Sequence, residues 1–130
     1  MPDRRKYDSP LLFREGEDLW LIGRRNVTDD GFYDLDRTDL EPADRYLNYQ
    51  FAYWNEPKRC ALWSVDPDSL LVTWVLDLPS RGDTCFPEAL PLGEARWDVW
   101  NYSSDVEGPD HAWQDGQVRP THIYRMTLGL

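Results

Sequence analysis

Two short stretches of the chain carry charged side chains that could bind a polar ligand. Arg24 and Arg25 are adjacent at the end of an apolar segment, and guanidinium groups suit planar, bidentate binding of an anion. Asp83 and Thr84 end the loop sequence Ser-Arg-Gly-Asp-Thr, where a carboxylate can bind hydroxyl groups or act as a general acid. Two ordinary alternatives remain open. The arginines could pair with the acidic segment that follows them, and the loop side chains could bond nearby backbone amides.

Hydroxyl side chains form a third candidate stretch. Tyr102, Ser103 and Ser104 follow a Trp-rich segment. The serines could line the edge of a pocket, together with Asp105. The alternatives are that Tyr102 packs as an ordinary aromatic residue and that the serines cap a loop.

Other chemistries lack support in the sequence. There is no Gly-x-Ser-x-Gly motif, no Gly-rich phosphate loop and no Cys/His cluster. His111 and His122 are not spaced as zinc ligands, and we interpret them as surface residues. The acidic run from 29 to 44 lacks the spacing of an EF-hand loop and is interpreted as a solvated face. We therefore predict no metal and no cofactor.

Composition bounds the class of protein. The 130 residues suffice for about one domain, and a net charge of −10 argues against nucleic-acid binding, which needs a basic face. The mean hydropathy of −0.69 and the lack of a long apolar run exclude a membrane-spanning helix. No apolar leader is evident near the N-terminus, so we expect a cytoplasmic location by default. Cys60 and Cys85 allow one disulfide, but two buried thiols are the favoured interpretation.

Strand patterns dominate the chain, so we predict an all-β fold. A hairpin is expected over 59–78, because Asp66, Pro67 and Ser69 have good turn chemistry. The long connection from 26 to 57 is predicted to be irregular, with at most one helical turn over 35–45. Its aromatic stretch over 47–54 could return as a strand. The predicted strands span 11–13, 19–24, 59–65, 70–78, 86–92, 96–102 and 122–128.

The strands are apolar on both faces, which predicts sheets stacked on either side, as between the blades of a β-propeller. Four strands precede Ser80 and three follow it. We therefore predict about two blades of antiparallel, four-stranded sheets within one partial domain. Residues 1–78 would form the first blade with the acidic loop 26–57, and residues 79–130 a second blade that lacks one strand.

An ordered set of motifs carries a family resemblance over roughly residues 10–128. The most specific is Leu-Pro-Ser-Arg-Gly-Asp-Thr-Cys-Phe-Pro at 78–87. The set resembles the C-terminal blades of sialidase-like β-propeller proteins, which include exo-sialidases and glycosidase-like chains. Its other members are Leu-Trp-Leu-Ile-Gly-Arg at 19–24, Ala-Leu-Trp-Ser-Val-Asp at 61–66, Trp-Asn-Tyr-Ser-Ser at 100–104 and Ile-Tyr-Arg-Met at 123–126.

The resemblance implies a carbohydrate or glycoconjugate as ligand, and glycoside hydrolysis when other blades complete the propeller. Arg24 and Arg25 would together hold a sugar carboxylate. Tyr102 would be the nucleophile with Glu88 as its base, and Asp83 a polar ligand or acid. The remaining pocket residues would be Thr84, Ser103 and Ser104. We do not expect turnover by the isolated chain.

A second hypothesis is a non-catalytic interaction module. An open sheet edge is a template for strand addition, so the chain could pair with itself or with other blades. Two isolated blades would expose large indole rings, and we therefore expect the isolated chain either to oligomerise or to be only marginally folded. The rings expected to be exposed are those of Trp20, Trp63, Trp97 and Trp100.

Overall fold

The computed structural model describes residues 2–130 and consists of seven strands and two helices. All seven predicted strands are present, and the chain is all-β apart from the two helices. No helix within residues 2–130 is long and apolar enough to cross a membrane. The elements are β1 (Asp8–Glu15), β2 (Asp18–Asn26), α1 (Pro42–Asn55), β3 (Lys58–Val65), β4 (Val72–Asp77), β5 (Glu88–Gly93), β6 (Arg96–Ser103), α2 (Trp113–Gly116) and β7 (His122–Gly129).

The strands form two antiparallel sheets, one ordered β1-β2-β3-β4 and the other β5-β6-β7. Each strand pairs with its neighbour in the chain, so both sheets are meanders. This confirms the predicted grouping into four strands and three. The predicted β3–β4 hairpin is also present, and the carboxylate of Asp66 accepts the backbone N–H of Ser69 at 2.7 Å in its turn.

Helix α1 corrects the prediction for the long connection, which allowed one helical turn over 35–45 and a strand over 47–54. The segment Pro42–Asn55 contains no Val, Ile or Thr, the residues that favour strands most through branching at Cβ. Pro42 begins the helix, where a missing N–H costs nothing. Tyr49 and Tyr53, four residues apart, bury one face of it. The helix spacing was hidden because aromatic residues also occur on its exposed face.

The main core lies between the two sheets. Ile22 and Leu62 of the four-stranded sheet pack with Trp97 and Val99 of the other sheet. The opposite face of the four-stranded sheet buries a second cluster of Leu21, Ala61 and Trp63, which the N-terminal segment covers through Tyr7. Adjacent residues of β2 and β3 therefore enter different clusters, which explains why these strands are apolar at successive positions.

A disulfide joins Cys60 to Cys85, contrary to the favoured interpretation of two buried thiols. The segment after β4 folds back onto β3. The N–H of Leu78 donates to the carbonyl of Cys60 at 2.8 Å, and the hydroxyl of Ser80 accepts the N–H of Cys60 at 2.8 Å. This return brings the two Cα atoms to 4.9 Å, within the range for a disulfide. The spacing of the two cysteines in the sequence carries no trace of this contact.

The indole rings are more buried than predicted. Trp63 is 2% exposed and Trp97 is 8% exposed, and Trp20 is half-buried, so the expected exposure of these three was wrong. Packing between the sheets covers Trp97, and the N-terminal segment covers Trp63. Only Trp100 is exposed as expected, at 40%. Further exposed apolar side chains lie on α1, in loops, and in or next to the edge strands. Those at the edge strands are Leu12, Leu70, Leu71, Trp74, Val75, Leu76, Phe86, Leu90, Leu92 and Ile123.

Candidate functional site

Arg24 lies near the end of β2, where its side chain is buried between the four-stranded sheet and the loop that leads to β5. Its Nε donates to the carbonyl oxygen of Thr84 at 2.6 Å. One terminal nitrogen lies 3.7 Å from Asp8, and the guanidinium sits 5.1 Å from the ring centre of Trp113. A buried cation is therefore held at the junction of both sheets and α2.

Arg25 is not part of this group. Successive side chains of a strand point to opposite faces, so Arg25 lies on the other side of the sheet from Arg24. It makes a bidentate ion pair with Asp77, at 2.7 and 2.6 Å. The structure thus separates the two arginines that the sequence analysis placed around one carboxylate. Their carboxylate partners, Asp8 and Asp77, lie outside the acidic loop 26–57.

The loop before β5 docks on the end of β6 through side chains that the sequence analysis had singled out. The hydroxyl of Thr84 donates to the carbonyl of Tyr102 at 2.9 Å. Ser104 accepts the backbone N–H of Asp83 at 3.2 Å, and Ser103 accepts the N–H of Arg81 at 2.7 Å. Three buried side chains therefore position the loop: that of Thr84 bonds the backbone of β6, and those of Ser103 and Ser104 bond the backbone of the loop.

Two glycines allow this close approach. Gly82 has a φ of +54°, and a Cβ there would lie 2.6 Å from the hydroxyl oxygen of Ser104. A Cβ on Gly116 of α2 would collide with the backbone amide of Asp83. Since only hydrogen atoms fit at these positions, α2 can rest directly on the loop and bring Trp113 over it.

Asp83 and Tyr102 are brought together. The hydroxyl of Tyr102 donates to Oδ1 of Asp83 at 3.1 Å, and the indole N–H of Trp113 donates to the same oxygen at 3.1 Å. Burial raises the pKa of the Tyr102 hydroxyl, and the charge of Asp83 raises it further. The phenol therefore keeps its proton at neutral pH, with a carboxylate in place to take it.

Glu88 does not take the place expected of it. It lies on β5 opposite Trp100, and its side chain is exposed. Cross-strand partners share a face, so Glu88 and Trp100 lie on the same face of the sheet. Tyr102 is also on that face, two residues beyond Trp100 along β6. The carboxylate that contacts Tyr102 is that of Asp83.

Asp8 and Tyr53 extend the polar cluster on the side of α1. Tyr53 donates its hydroxyl to Oδ2 of Asp8 at 2.7 Å, and the ammonium of Lys6 lies 3.2 Å from the same oxygen. Sequence reasoning missed these residues and Trp113. The N-terminal segment and the polar loop after β6 gave no periodic pattern, although a lone Trp in a polar loop is a usable hint.

Lys58 is a buried cation beside this cluster. Its ammonium donates to the backbone carbonyls of Tyr53 and Glu56, the latter at 2.6 Å, and so closes the C-terminal end of α1. Burial lowers the pKa of Lys58 to about 7. These contacts are those of a helix cap, and they involve none of the candidate site residues of the sequence analysis.

An open cleft of about 290 Å³ has Ser104 in its lining. Its other lining residues include Asp105, His111, Arg119 and His122. No residue of the loop that carries Asp83 lines the cleft, and Ser104, which accepts the backbone N–H of Asp83, is the link between the two. Within residues 2–130, no group of three or more His, Cys, Asp or Glu side chains is arranged to hold a metal ion.

The residues that come together at the junction of the sheets are Arg24, Asp83, Tyr102 and Trp113, which we name the Arg24 cluster. It combines a buried cation, a carboxylate, a phenol and an indole ring. Comparison with protein-family models, curated proteins and solved structures finds no match to this chain.

Proposed function

We propose that this chain is part of a sialidase-like β-propeller and that the Arg24 cluster binds a glycoside, which it cleaves when further blades complete the site. Two stacked antiparallel meanders, of four strands and three, support an assignment as neighbouring blades. The second sheet would need one more strand to match the first. The motifs at 19–24, 78–87 and 100–104 support the same assignment, since all three meet at the cluster.

The contact between Tyr102 and Asp83 carries this proposal. A phenol with a raised pKa is a weak nucleophile unless a base accepts its proton as it attacks. Asp83 lies at hydrogen-bond distance from that proton. A neutral phenol also avoids the repulsion that a carboxylate nucleophile would meet from an acidic sugar, which suits a site containing a buried arginine.

The covalent step would run as follows. Oη of Tyr102 bonds to the anomeric carbon while the bond from that carbon to the leaving group breaks. The phenolic proton passes to Asp83, and the leaving group departs with the bonding electrons. Water then attacks the anomeric carbon and the bond from that carbon to Oη breaks, while Asp83 returns its proton to Oη. The proton that the water loses goes to the solvent, and the departed leaving group takes one from the solvent.

Arg24 would hold the carboxylate of an acidic sugar. Its Nε is already used by Thr84 and one terminal nitrogen is paired with Asp8, so a ligand carboxylate would have to share or displace that ion pair. Trp113 lies against the guanidinium and must move aside before a carboxylate can reach it. The cleft beside Ser104 supplies space from which a ligand can approach the Asp83 loop.

A trapping experiment tests this proposal without the missing blades. In a fluorinated sialosyl fluoride the leaving group is fluoride, which departs without a general acid. The glycosyl–enzyme intermediate formed from this reagent is slow to hydrolyse. We expect intact-mass analysis to find one glycosyl adduct and peptide mapping to place it on Tyr102, with none on the Tyr102→Phe variant. Arg24→Lys should slow labelling strongly, whereas Arg25→Lys, on the opposite face, should not. An adduct elsewhere, or no adduct together with no binding of free sialic acid, would overturn the proposal.

The interaction module remains the second candidate, and the open sheet edges favour it. β4 is an edge strand with exposed apolar side chains at successive positions, among them Trp74, Val75 and Leu76. Such an edge can accept a strand from another chain. Light scattering on the purified chain tests this candidate: we expect a mass of two or more chains, and a stable 15.3 kDa monomer at high concentration would contradict it.

A further inference from the structure

A second cleft, of about 310 Å³, lies on the face of the four-stranded sheet opposite the Arg24 cluster. We propose that it is a binding site for a neutral saccharide, whose ring stacks on Trp74. The site is independent of the catalytic proposal, since it shares no residue with the Arg24 cluster. Its lining includes Arg5, Arg25, Asp29, Asp30, Trp63 and Trp74.

Trp74 provides a flat apolar platform that is held in place. Its side chain is 49% exposed, and its indole N–H donates to Asp77 at 3.1 Å. Asp77 is in turn fixed by the bidentate pair with Arg25, whose guanidinium lies 5.9 Å from the centre of the Trp74 ring. An exposed but immobilised indole loses little conformational entropy when a sugar ring covers it.

The guanidinium of Arg5 forms the second wall of the cleft and covers the ring of Trp63. Trp63 is almost fully buried, and the guanidinium of Arg5 lies 5.0 Å from the centre of its ring. Arg5 is held there by Asp3 at 2.7 Å and by the carbonyl of Val72 at 2.8 Å. The cleft therefore has one exposed indole, that of Trp74, beside polar groups, in a volume at the lower end of the range for small-molecule pockets.

The rim carries both hydrogen-bond donors and acceptors, which a sugar hydroxyl can use at once. The two guanidinium groups can donate, and the exposed carboxylates of Asp29 and Asp30 can accept. The loop that presents these groups is ordered by its own bonds. Asp30 accepts the N–H of Phe32 at 2.9 Å, and Thr28 accepts the N–H of Gly31 at 3.0 Å.

The charge of the cleft favours a neutral sugar over an acidic one. Arg5 is neutralised by Asp3, and Arg25 by Asp77. Within residues 2–130, neither Asp29 nor Asp30 pairs with a basic side chain, so the lining taken together with Asp3 and Asp77 carries an excess of negative charge. A carboxylate-bearing sugar would be repelled here, which separates this site from the acidic-sugar site proposed at Arg24.

Trp100 offers a matched control on the other sheet. It is 40% exposed, its indole N–H donates to Asp98 at 3.2 Å, and Arg125 binds that carboxylate at 2.8 Å. Arg125 also lies 5.4 Å from the ring centre. Trp74 and Trp100 thus share the same surroundings of carboxylate and arginine, but only Trp74 lines the cleft formed with the loop that carries Asp29 and Asp30.

The test is NMR titration of the chain with cellobiose, lactose, maltose and chitobiose, and separately with sialic acid. We expect the indole N–H resonance of Trp74 to shift with at least one neutral disaccharide and not with sialic acid. Trp74→Ala should weaken that binding about tenfold or more, since stacking accounts for much of the affinity. Trp100→Ala should leave it unchanged.

Asp29→Asn is a second variant at an exposed position and guards against a folding defect in Trp74→Ala. It removes one charged acceptor from the rim. We expect the affinity to fall about threefold or more, a change that the free energy of one charge-assisted hydrogen bond can account for. Arg24→Lys and Tyr102→Phe should bind the disaccharide normally, so failure of the catalytic proposal would not touch this one. No binding of any neutral disaccharide, equal binding by Trp74→Ala, or tighter binding of sialic acid at Trp74 would overturn the inference.

Discussion

Tyr102 and Asp83 lie 3.1 Å apart, phenolic oxygen to carboxylate oxygen, although one ends a central strand and the other lies in a loop 19 residues earlier. Trp113 donates to the same carboxylate oxygen from a third segment of the chain. A single oxygen thus joins β6, the loop before β5 and α2. Changing Asp83 should therefore alter both the ionisation and the reactivity of Tyr102.

Asp83→Asn should lower the pKa of Tyr102, because the amide removes a negative charge that raises it. The same substitution removes the base, so labelling of Tyr102 by the fluorinated sialosyl fluoride should slow by about 100-fold or more. If the free phenolate were the nucleophile, the lower pKa would speed labelling, whereas loss of the base should slow it. Measuring both quantities therefore tests whether Asp83 acts as the base. The measurements are an NMR pH titration of the Tyr102 ring and the labelling rate by intact mass. Glu88→Gln is the control and should change neither, and an equal effect of both variants would contradict the assignment.

Trp113→Ala should expose the guanidinium of Arg24 to ligands. The indole ring now lies against that cation, a contact that an incoming carboxylate must displace. We expect the affinity for sialic acid to rise about tenfold when the ring is removed, as measured by calorimetry. Trp113→Phe keeps a ring over Arg24 but loses the N–H that bonds Asp83, so it should bind like the wild type. Weaker binding by Trp113→Ala would instead make the indole part of the ligand site.

Lys58 should make stability depend on pH between about 7 and 10.5. The unfolded chain binds a proton on Lys58 below 10.5, whereas the folded chain binds it only below about 7. Between these values the unfolded state holds more protons, so the free energy of unfolding should rise with pH and level off below about 7. Urea titrations at pH 7 and pH 9 measure the difference. The tyrosines with raised pKa values oppose this trend only near and above pH 10.

Lys58→Met should abolish this rise, whatever its effect on stability at any one pH. Lys6 is a half-exposed lysine that, like Lys58, lies over the ring of Tyr53. Lys6→Met should therefore retain the rise. If Lys58→Met and the wild type show the same difference between pH 7 and pH 9, the proton on Lys58 is not linked to folding.

Reduction of the disulfide should destabilise the fold and free the Asp83 loop. Cys60 and Cys85 are 25 residues apart, and a loop of that length corresponds to about 3.5 kcal/mol in the free energy of unfolding. Urea titrations with and without dithiothreitol measure the loss. Mass analysis after alkylation should find both thiols blocked before reduction and free after it. Identical unfolding curves for fully reduced and untreated protein would show that the bond contributes little.

The strands could be predicted because they depend on neighbours in the chain. Their apolar residues are bounded by turns such as Asp66–Ser69, and each strand pairs with the next one along. The helix Pro42–Asn55 escaped prediction because its aromatic residues fit either a strand or a helix. Tertiary packing on Tyr49 and Tyr53 decided between them.

The candidate site was only partly visible in the sequence. Asp83, Thr84, Tyr102 and Ser104 could be singled out as polar residues in loops or at strand ends, and the fold does bring them together. Arg24 and Arg25 lie on opposite faces of the sheet because successive side chains of a strand alternate, so their separation could have been predicted from the sequence.

The partners of these residues could be found only in the folded chain. Trp113 reaches Asp83 over 30 residues, Tyr53 reaches Asp8 over 45, and Arg24 reaches Thr84 over 60. Local propensity and periodicity decide strands and turns because those depend on residues a few positions apart. Contacts at such separations depend on how the two sheets stack and where the loops return, which is set by the burial of the whole core rather than by any one segment.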